Sequence, residues 1–501
     1  MRFAPLLRSE LTKLLTVRRW LVALAAMALL TIGFGLLSAA GSSTNVNDQP
    51  TYVVGPSGRA VSDQLYLVHG PVAGDATVTA RVVGQRASHP DAQAGLMVRE
   101  RLAAGSRYVS IALTPDHGVR FDSNFGDTVR HAGGDAPVWL RLRRHGAEFR
   151  GEASADGRTW REVGSTDLPG AGRDLEFGLF VNSPEKLEIT RTAGGTGVTG
   201  IPTEARATFA DLRLAPAGAG TVAGWHGQNI PLVPRLPTEV PDAVRGKPGG
   251  VPPPQSKEDA FGRPAGTVAA AGGTYTLTGS GDIGLAEGPD DSVQASLFGT
   301  MFGLMALAAV AVLFATSEYK RHLVWTTFAA TPRRRPVLAA KAVVLAGTTF
   351  ALGLVTSVAA YFVSRPAIRS SGFTLPGYAP TSIGQPAVLR AIVGNAVMLV
   401  AFALLGLGLG VILRRSSAAI AIVFALAVVP LFAAAAIPPV SKWLMWLTPA
   451  GGFAIERAKP PSAELAEPWS QINPWLGLGI ACAYAAVALG GAAWLLERRD
   501  A

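Results

Sequence analysis

Six stretches of this chain are each long and apolar enough to span a bilayer, which takes about 20 residues as a helix. They run approximately Trp20–Ala40, Val293–Thr316, Val337–Val363, Ala387–Leu413, Ser416–Ile437 and Pro474–Leu496. Glycines recur inside them, as at Gly406, Gly408 and Gly410, which suits helices that approach one another closely. The composition agrees: 49% of the 501 residues are hydrophobic and 16% charged, a balance that points to membrane residence.

The cations then orient the helices. Residues 42–292 hold 24 basic and 28 acidic side chains, whereas the rest of the chain holds 21 basic and 7 acidic. That separation does not describe a nucleic-acid binder. Fifteen cations lie at the N-terminus (Arg2, Arg8, Lys13, Arg18, Arg19), between spans two and three (Lys320, Arg321, Arg333, Arg334, Arg335, Lys341), after span four (Arg414, Arg415) and at the C-terminus (Arg498, Arg499). The opposite loops carry six: Arg365, Arg369, Arg390, Lys442, Arg457 and Lys459. Cations stay with the cytoplasm, so both termini are expected inside and residues 41–292 outside a plasma membrane.

Residues 1–19 read as an amphipathic helix lying on the cytoplasmic surface, with Leu7, Leu11, Leu14 and Leu15 on one face and Ser9, Thr12, Lys13 and Thr16 opposite,. A secretory signal peptide ending near SAAGSS is the rival reading. Its basic region would be long and would include an acid, and its apolar run would exceed the usual 7–15 residues or so. Residues 20–40 form the first span.

From 41 to 215 the pattern changes to short alternating runs: ATVTARVVG, QAGLMVRE, RYVSIALT, GVRFDSN, VWLRLRRHG, EFRGEASADG, TWREVG, LEFGLFVNS and ATFADLRL. Alternation with β-branched and aromatic residues predicts strands, Asp156-Gly157 predicts a hairpin, and the regular spacing predicts an all-β sandwich. Residues 216–292 are rich in Pro and Gly and read as an extended linker; TYTLTGSGDIGL within them reads as one more strand pair or a segment near the membrane. Residues 293–501 hold spans two to six. The fold class is therefore a polytopic α-helical membrane protein with six transmembrane helices and a large β-sandwich ectodomain inserted between helices 1 and 2.

One loop stands out for function. SEYKRHLVWTTFAATPRRRPVLAAK, residues 317–341, joins spans two and three with a single acid, Glu318. Its His322–Ala330 part suits a short helix along the membrane, Pro332 a break, and Arg333, Arg334 and Arg335 an anchor at anionic lipid headgroups. The bland alternative is a loop whose charges only fix orientation.

With LLRSELTKLLTVRRW at the start and LMWLTPAGGFAI before the last span, this loop resembles the membrane subunits of type-2 ATP-binding-cassette (ABC) exporters, the N-terminal segment being similar to actinobacterial members. The resemblance covers residues 1–40 and 293–501. It implies six spans per subunit, a homodimer or paired permease, and a separate cytoplasmic ATPase that binds ATP and Mg²⁺, no cofactor being held by this chain. It also implies that Glu318, Tyr319, Arg321 and Thr326 lie at or beside the ATPase contact, in a coupling set that includes Arg333, Arg334 and Arg335. The insert of residues 41–292 departs from the family, whose members mostly have a short loop or a smaller domain there. Its strands resemble concanavalin-A-like (laminin-G-like) sandwich domains of the kind appended to glycoside hydrolases.

The ectodomain offers Trp139, Trp160 and Phe121 for stacking on a sugar ring and Arg99 for a concave face, each weighed against a core or plain surface role. Its acids (Asp122, Asp127, Glu148, Glu152, Asp174, Glu176) show neither a glycosidase pairing nor a Ca²⁺ spacing. No P-loop motif occurs; Gly246-Lys247 lacks the upstream glycine and the following hydroxyl residue,. Histidines do not cluster for a metal. The single cysteine, Cys482, rules out a disulfide within the chain,. Ionisable residues are nearly absent from the spans, with Lys341 and Arg390 near their ends, which argues against an ion-coupled carrier. The expectation is therefore a non-enzymatic permease subunit of an ATP-driven exporter, contacting lipids and an extracellular glycan or cargo. The alternative is a membrane-anchored recognition protein for a glycan or cell-wall polymer.

Overall fold

The computed structural model describes residues 3–41, 53–87, 89–126, 128–192, 195–216, 222–230, 266–286, 291–320, 334–371, 373–459 and 472–498. Its helices are α1 (Phe3–Thr16), α2 (Arg18–Gly41), α3 (Ser292–Leu297), α4 (Thr300–Lys320), α5 (Arg334–Ser370), α6 (Pro386–Leu413), α7 (Ser416–Ala436), α8 (Pro438–Leu447) and α9 (Pro474–Arg498). Among the described residues, six helices are long and apolar enough to cross a membrane: Arg18–Gly41, Ser292–Ser317, Arg335–Ser370, Pro386–Leu413, Ser416–Ala434 and Pro474–Arg498. Each contains most or all of one expected stretch. The third runs on past Val363 to Ser370 and accommodates Pro366 close to its end.

The helices pack into one bundle around α6. Phe314 of α4, Met398 and Phe402 of α6, and Phe453 share its core. Small residues set the spacing. A Cβ on Gly299 would collide with the Thr31 carbonyl of α2, and one on Gly408 of α6 would strike the backbone of Ala488 in α9, so bulkier residues there would push the helices apart. The sequence did not announce α8 or the 3₁₀ segment Pro449–Glu456 behind it. Each is too short to span, yet every residue from Pro449 to Glu456 is buried in the bundle.

The nine expected strand runs all fall on strands. They belong to two antiparallel seven-stranded sheets. The first runs, in spatial order, Arg161–Asp167, Glu148–Ser154, Val138–His145, Ala76–Ala87, Ala205–Ala215, Thr274–Gly279 and Thr267–Ala271. The second runs His226–Ile230, Leu65–Ala73, Asp174–Asn182, Gln93–Arg99, Tyr108–Thr114, Gly118–Ser123 and Thr128–Ala132. Alternation explains the packing: Val138, Leu140 and Leu142 point inward to meet Ile111, Phe121 and Leu179, while Trp139, Arg141 and Arg143 point outward,.

Two features differ from expectation. The sheets do not end at residue 215. His226–Ile230 and Thr267–Ala271, which are not among the expected strands, complete them with Thr274–Gly279, which falls in the TYTLTGSGDIGL stretch that reads as strand; residues 231–265 lie outside the described ones. The second sheet is also buried on both faces. Every residue of Gln93–Arg99 and Tyr108–Thr114 is buried, because a small sheet of Val53–Val54, Ala60–Asp63 and Ile283–Leu285 covers the outer side over Leu67, Met97, Phe125 and Phe180.

Candidate functional site

The end of the bundle nearest the N-terminus is built around one carboxylate. Glu10 sits on the packed face of α1, between Leu7 and Leu14, and is 2% exposed. Lys341 of α5 donates from Nζ to Glu10 Oε2 at 2.7 Å, and Lys13 donates to Oε1 at 2.7 Å. The Lys341 ammonium also lies 4.6 Å from the centre of the Phe314 ring, and Trp20 of α2 meets that ring edge-on at 5.2 Å. A cation held by both a carboxylate and an aromatic face in a dry setting is strongly located. One knot therefore joins α1, α2, the end of α4 and the start of α5.

Leu14 is buried, whereas Leu11 and Leu15 of the expected leucine face are exposed. Lys341, near the start of its span, is 6% exposed and paired. A second tie lies nearby, where Arg335 forms an ion pair with Glu497 at the end of α9, its Nη2 reaching Oε2 at 2.6 Å.

Both ties lie on the α5 side of the basic loop. Arg321, Thr326 and Arg333 lie outside the described residues, and the side chains of Glu318, Tyr319 and Arg334 do too. Of the loop residues expected to contact an ATPase, Arg335 alone has a described side chain, and it is exposed.

Deeper in the bundle, Asn395 of α6 donates from Nδ2 to Thr300 Oγ1 and to Ser357 Oγ, each at 3.0 Å. The carboxylate of Glu456 is also buried in the bundle. Sequence reasoning passed over Glu456 because it lies outside every apolar run; the fold tucks it in with the 3₁₀ segment.

In the sandwich the proposed sugar contacts separate. Phe121 is fully buried between the sheets, so it is core and presents no ring to a ligand. Arg99 is neither a reaching nor a solvated residue. It is 0% exposed and forks onto Asp63, Nη1 to Oδ1 at 2.8 Å and Nη2 to Oδ2 at 2.5 Å. Gly105 N–H adds a bond to Asp63 Oδ2 at 2.8 Å. The pair pins the covering strand Ala60–Asp63 to the sheet. Tyr108 and Asp122 are buried on the same side, and burial pushes the phenol well above its ordinary range, with the charges of Asp122 and Asp63 adding to the rise. Burial also raises the Asp122 carboxyl, against the pull of Arg120. Trp139 and Trp160 are half-buried on the outer face of the first sheet. The Arg141 guanidinium stacks 3.9 Å over the Trp160 ring and donates to Glu152 at 2.6 Å.

No family model matches the chain. No curated protein matches it either. Fourteen solved chains are similar to parts of it, among them the following two. A functionally unknown protein from Saccharomyces cerevisiae aligns with a TM-score of 0.21 and 20% identity over 29% of this chain and 72% of that one. SCP-B, a member of the eqolisin family of peptidases in complex with the tripeptide Ala-Ile-His, aligns with a TM-score of 0.24 and 8% identity over 43% of this chain and 98% of that one. Likeness this slight carries no argument about activity.

Proposed function

We propose that this chain is the membrane-embedded permease subunit of an ATP-driven exporter, with the sandwich as an ectodomain inserted between its first two spans and both termini in the cytoplasm. The observation that carries the reading is the Glu10–Lys341 pair. It clamps the N-terminal helix to the helix that follows the basic loop, so a push on that loop moves α1, α4 and α5 together. Burying two charges costs several kcal/mol per ion before their attraction offsets it, and here the pair ties α1 to α5 just after the loop. The chain carries no P-loop motif, and ATP hydrolysis falls to a partner ATPase that acts on residues 318–335. Two copies, or this chain and a paired permease, line the path.

The test is affinity purification of the tagged full chain from its native host. Recovery of a P-loop ATPase in stoichiometric amount supports the reading. Recovery of the chain alone, with tight binding to wall polysaccharide that Trp160→Ala abolishes, supports the membrane-anchored recognition protein instead.

A further inference from the structure

The opposite end of α5 carries a second site. There the last turns of α5, the connection to α6, the start of α3 and Lys459 enclose a cleft of about 300 Å³, within the range of small-ligand sites. Three cations line it: Arg365, Arg369 and Lys459. None of its lining residues, among those described, is acidic. The adjacent carboxylate, Asp291, is occupied with backbone amides. Its Oδ1 accepts from Val293 and Gln294 at 2.9 and 3.2 Å, and its Oδ2 from Ala458 and Lys459 at 2.6 and 2.8 Å. Asp291 thus fixes the backbone that carries Lys459 to the cleft.

The remaining lining is aromatic. Lys459 Nζ lies 4.8 Å from the Tyr378 ring centre, and Arg365 Cζ lies 5.1 Å from that of Tyr361. Phe373 packs on Tyr378 with centroids 4.6 Å apart. Arg365 also donates to the Thr381 carbonyl, which sets its guanidinium at the wall. The cleft is thus cationic and lined by rings. The wall is held from outside as well: Ala60 N–H of the sandwich donates to the Pro376 carbonyl at 2.7 Å, and Ser371 Oγ to the Ala39 carbonyl at 3.0 Å.

We propose that this cleft binds an anionic, phosphate-bearing group with an apolar body, the phosphate held by Arg365, Arg369 and Lys459 and the body against Phe373 and Tyr378. Guanidinium forks match phosphate oxygens in geometry as well as charge, and three cations converge on the cleft from α5 and from Lys459. The cations sit at the end where a membrane protein is expected to carry few, and three of the six there converge on one cavity. The inference is independent of the export reading, because it rests on this cleft and not on the basic loop.

The test uses the full chain in a neutral detergent, titrated with dioleoyl-phosphatidylglycerol, dioleoyl-phosphatidylcholine and glycerol 3-phosphate, with dissociation constants read by native mass spectrometry and thermophoresis. Phosphatidylglycerol is expected to bind about tenfold tighter than phosphatidylcholine, and Arg369→Gln/Lys459→Gln to weaken it by about tenfold or more. Arg369→Lys, which keeps the charge and loses the fork, should weaken binding by less than Arg369→Gln does, and Arg415→Gln at the other end of the bundle should leave it unchanged. Glycerol 3-phosphate binding as tightly as the lipid would assign the site to a soluble phosphate; much weaker binding would assign it to a lipid headgroup. Both outcomes support a phosphate site. Equal affinity for the two lipids with no binding of glycerol 3-phosphate, or undiminished binding by a monodisperse double variant, would overturn it.

Discussion

Lys341 and Glu10 are 331 positions apart in sequence, yet their side chains meet at 2.7 Å with both residues almost sealed from solvent. Glu10→Gln leaves the Lys341 ammonium without its full counter-charge and is expected to cost about 3–5 kcal/mol, as for other broken buried pairs. Glu10→Gln/Lys341→Met should recover much of that loss. Thermal unfolding of the purified chain measures both. Additive losses in the double variant would show that the two residues do not act as a pair.

The Arg99–Asp63 fork makes the same kind of prediction for the sandwich. Arg99→Met strands a buried carboxylate and should destabilise the domain by about 3–5 kcal/mol, whereas Arg99→Met/Asp63→Leu should come close to wild type. Denaturant titration followed by Trp fluorescence reads the difference. A mild effect of Arg99→Met alone would mean that the covering strand is not pinned through this residue.

Asp156 supplies a pH dependence. Its carboxylate accepts the backbone N–H groups of Thr159 and Arg158, and these, with the Ser154 hydroxyl, hold its pKa far below the usual carboxylate range. A depressed folded-state pKa contributes stability that is present above the unfolded value of about 3.9 and is lost as pH falls through the folded one. The stability gap between wild type and Asp156→Ala should be full above about pH 5 and shrink on acidification below about pH 4. A gap that widens in acid would contradict the assignment.

Much of this architecture is legible in one dimension. Bilayer-length apolar runs need only their own length and composition, so Pro386–Leu413 and its five counterparts are readable to within a few residues. Outward alternation is readable too, as Val138–His145 shows. What fails is anything decided by a distant partner. Glu10 belongs to neither face read from the sequence until Lys341 is placed against it. Arg99 looks solvated until Asp63 arrives from a strand that covers the sheet. The edge strands His226–Ile230 and Thr267–Ala271 hide among prolines and glycines because edge strands borrow their order from the sheet. Glu456 lies beyond any apolar run, and only the 3₁₀ segment brings it inside. The buried acid between Leu7 and Leu14, at helical spacing, was the one available signal for the Glu10 knot.

Topology is directly measurable. In a Cys482→Ala background, Arg335→Cys should resist a membrane-impermeant maleimide in intact cells and react after permeabilisation. Arg158→Cys, on an exposed turn of the sandwich, should react in both. Loss of the exposed Arg335–Glu497 pair should change stability by less than about 1 kcal/mol, so the labelling pattern reports sidedness and not unfolding. Reaction of Arg335→Cys from outside would reverse the proposed orientation.

The central claim is that a separate ATPase pushes on the loop between α4 and α5. A photo-crosslinking amino acid at position 326 tests it in living cells. Irradiation should capture one P-loop ATPase as the dominant adduct, and the capture should fall when Glu318 is replaced by Gln. Adducts confined to lipid, or to a second copy of this chain, with no nucleotide-hydrolysing protein among them, would contradict the account.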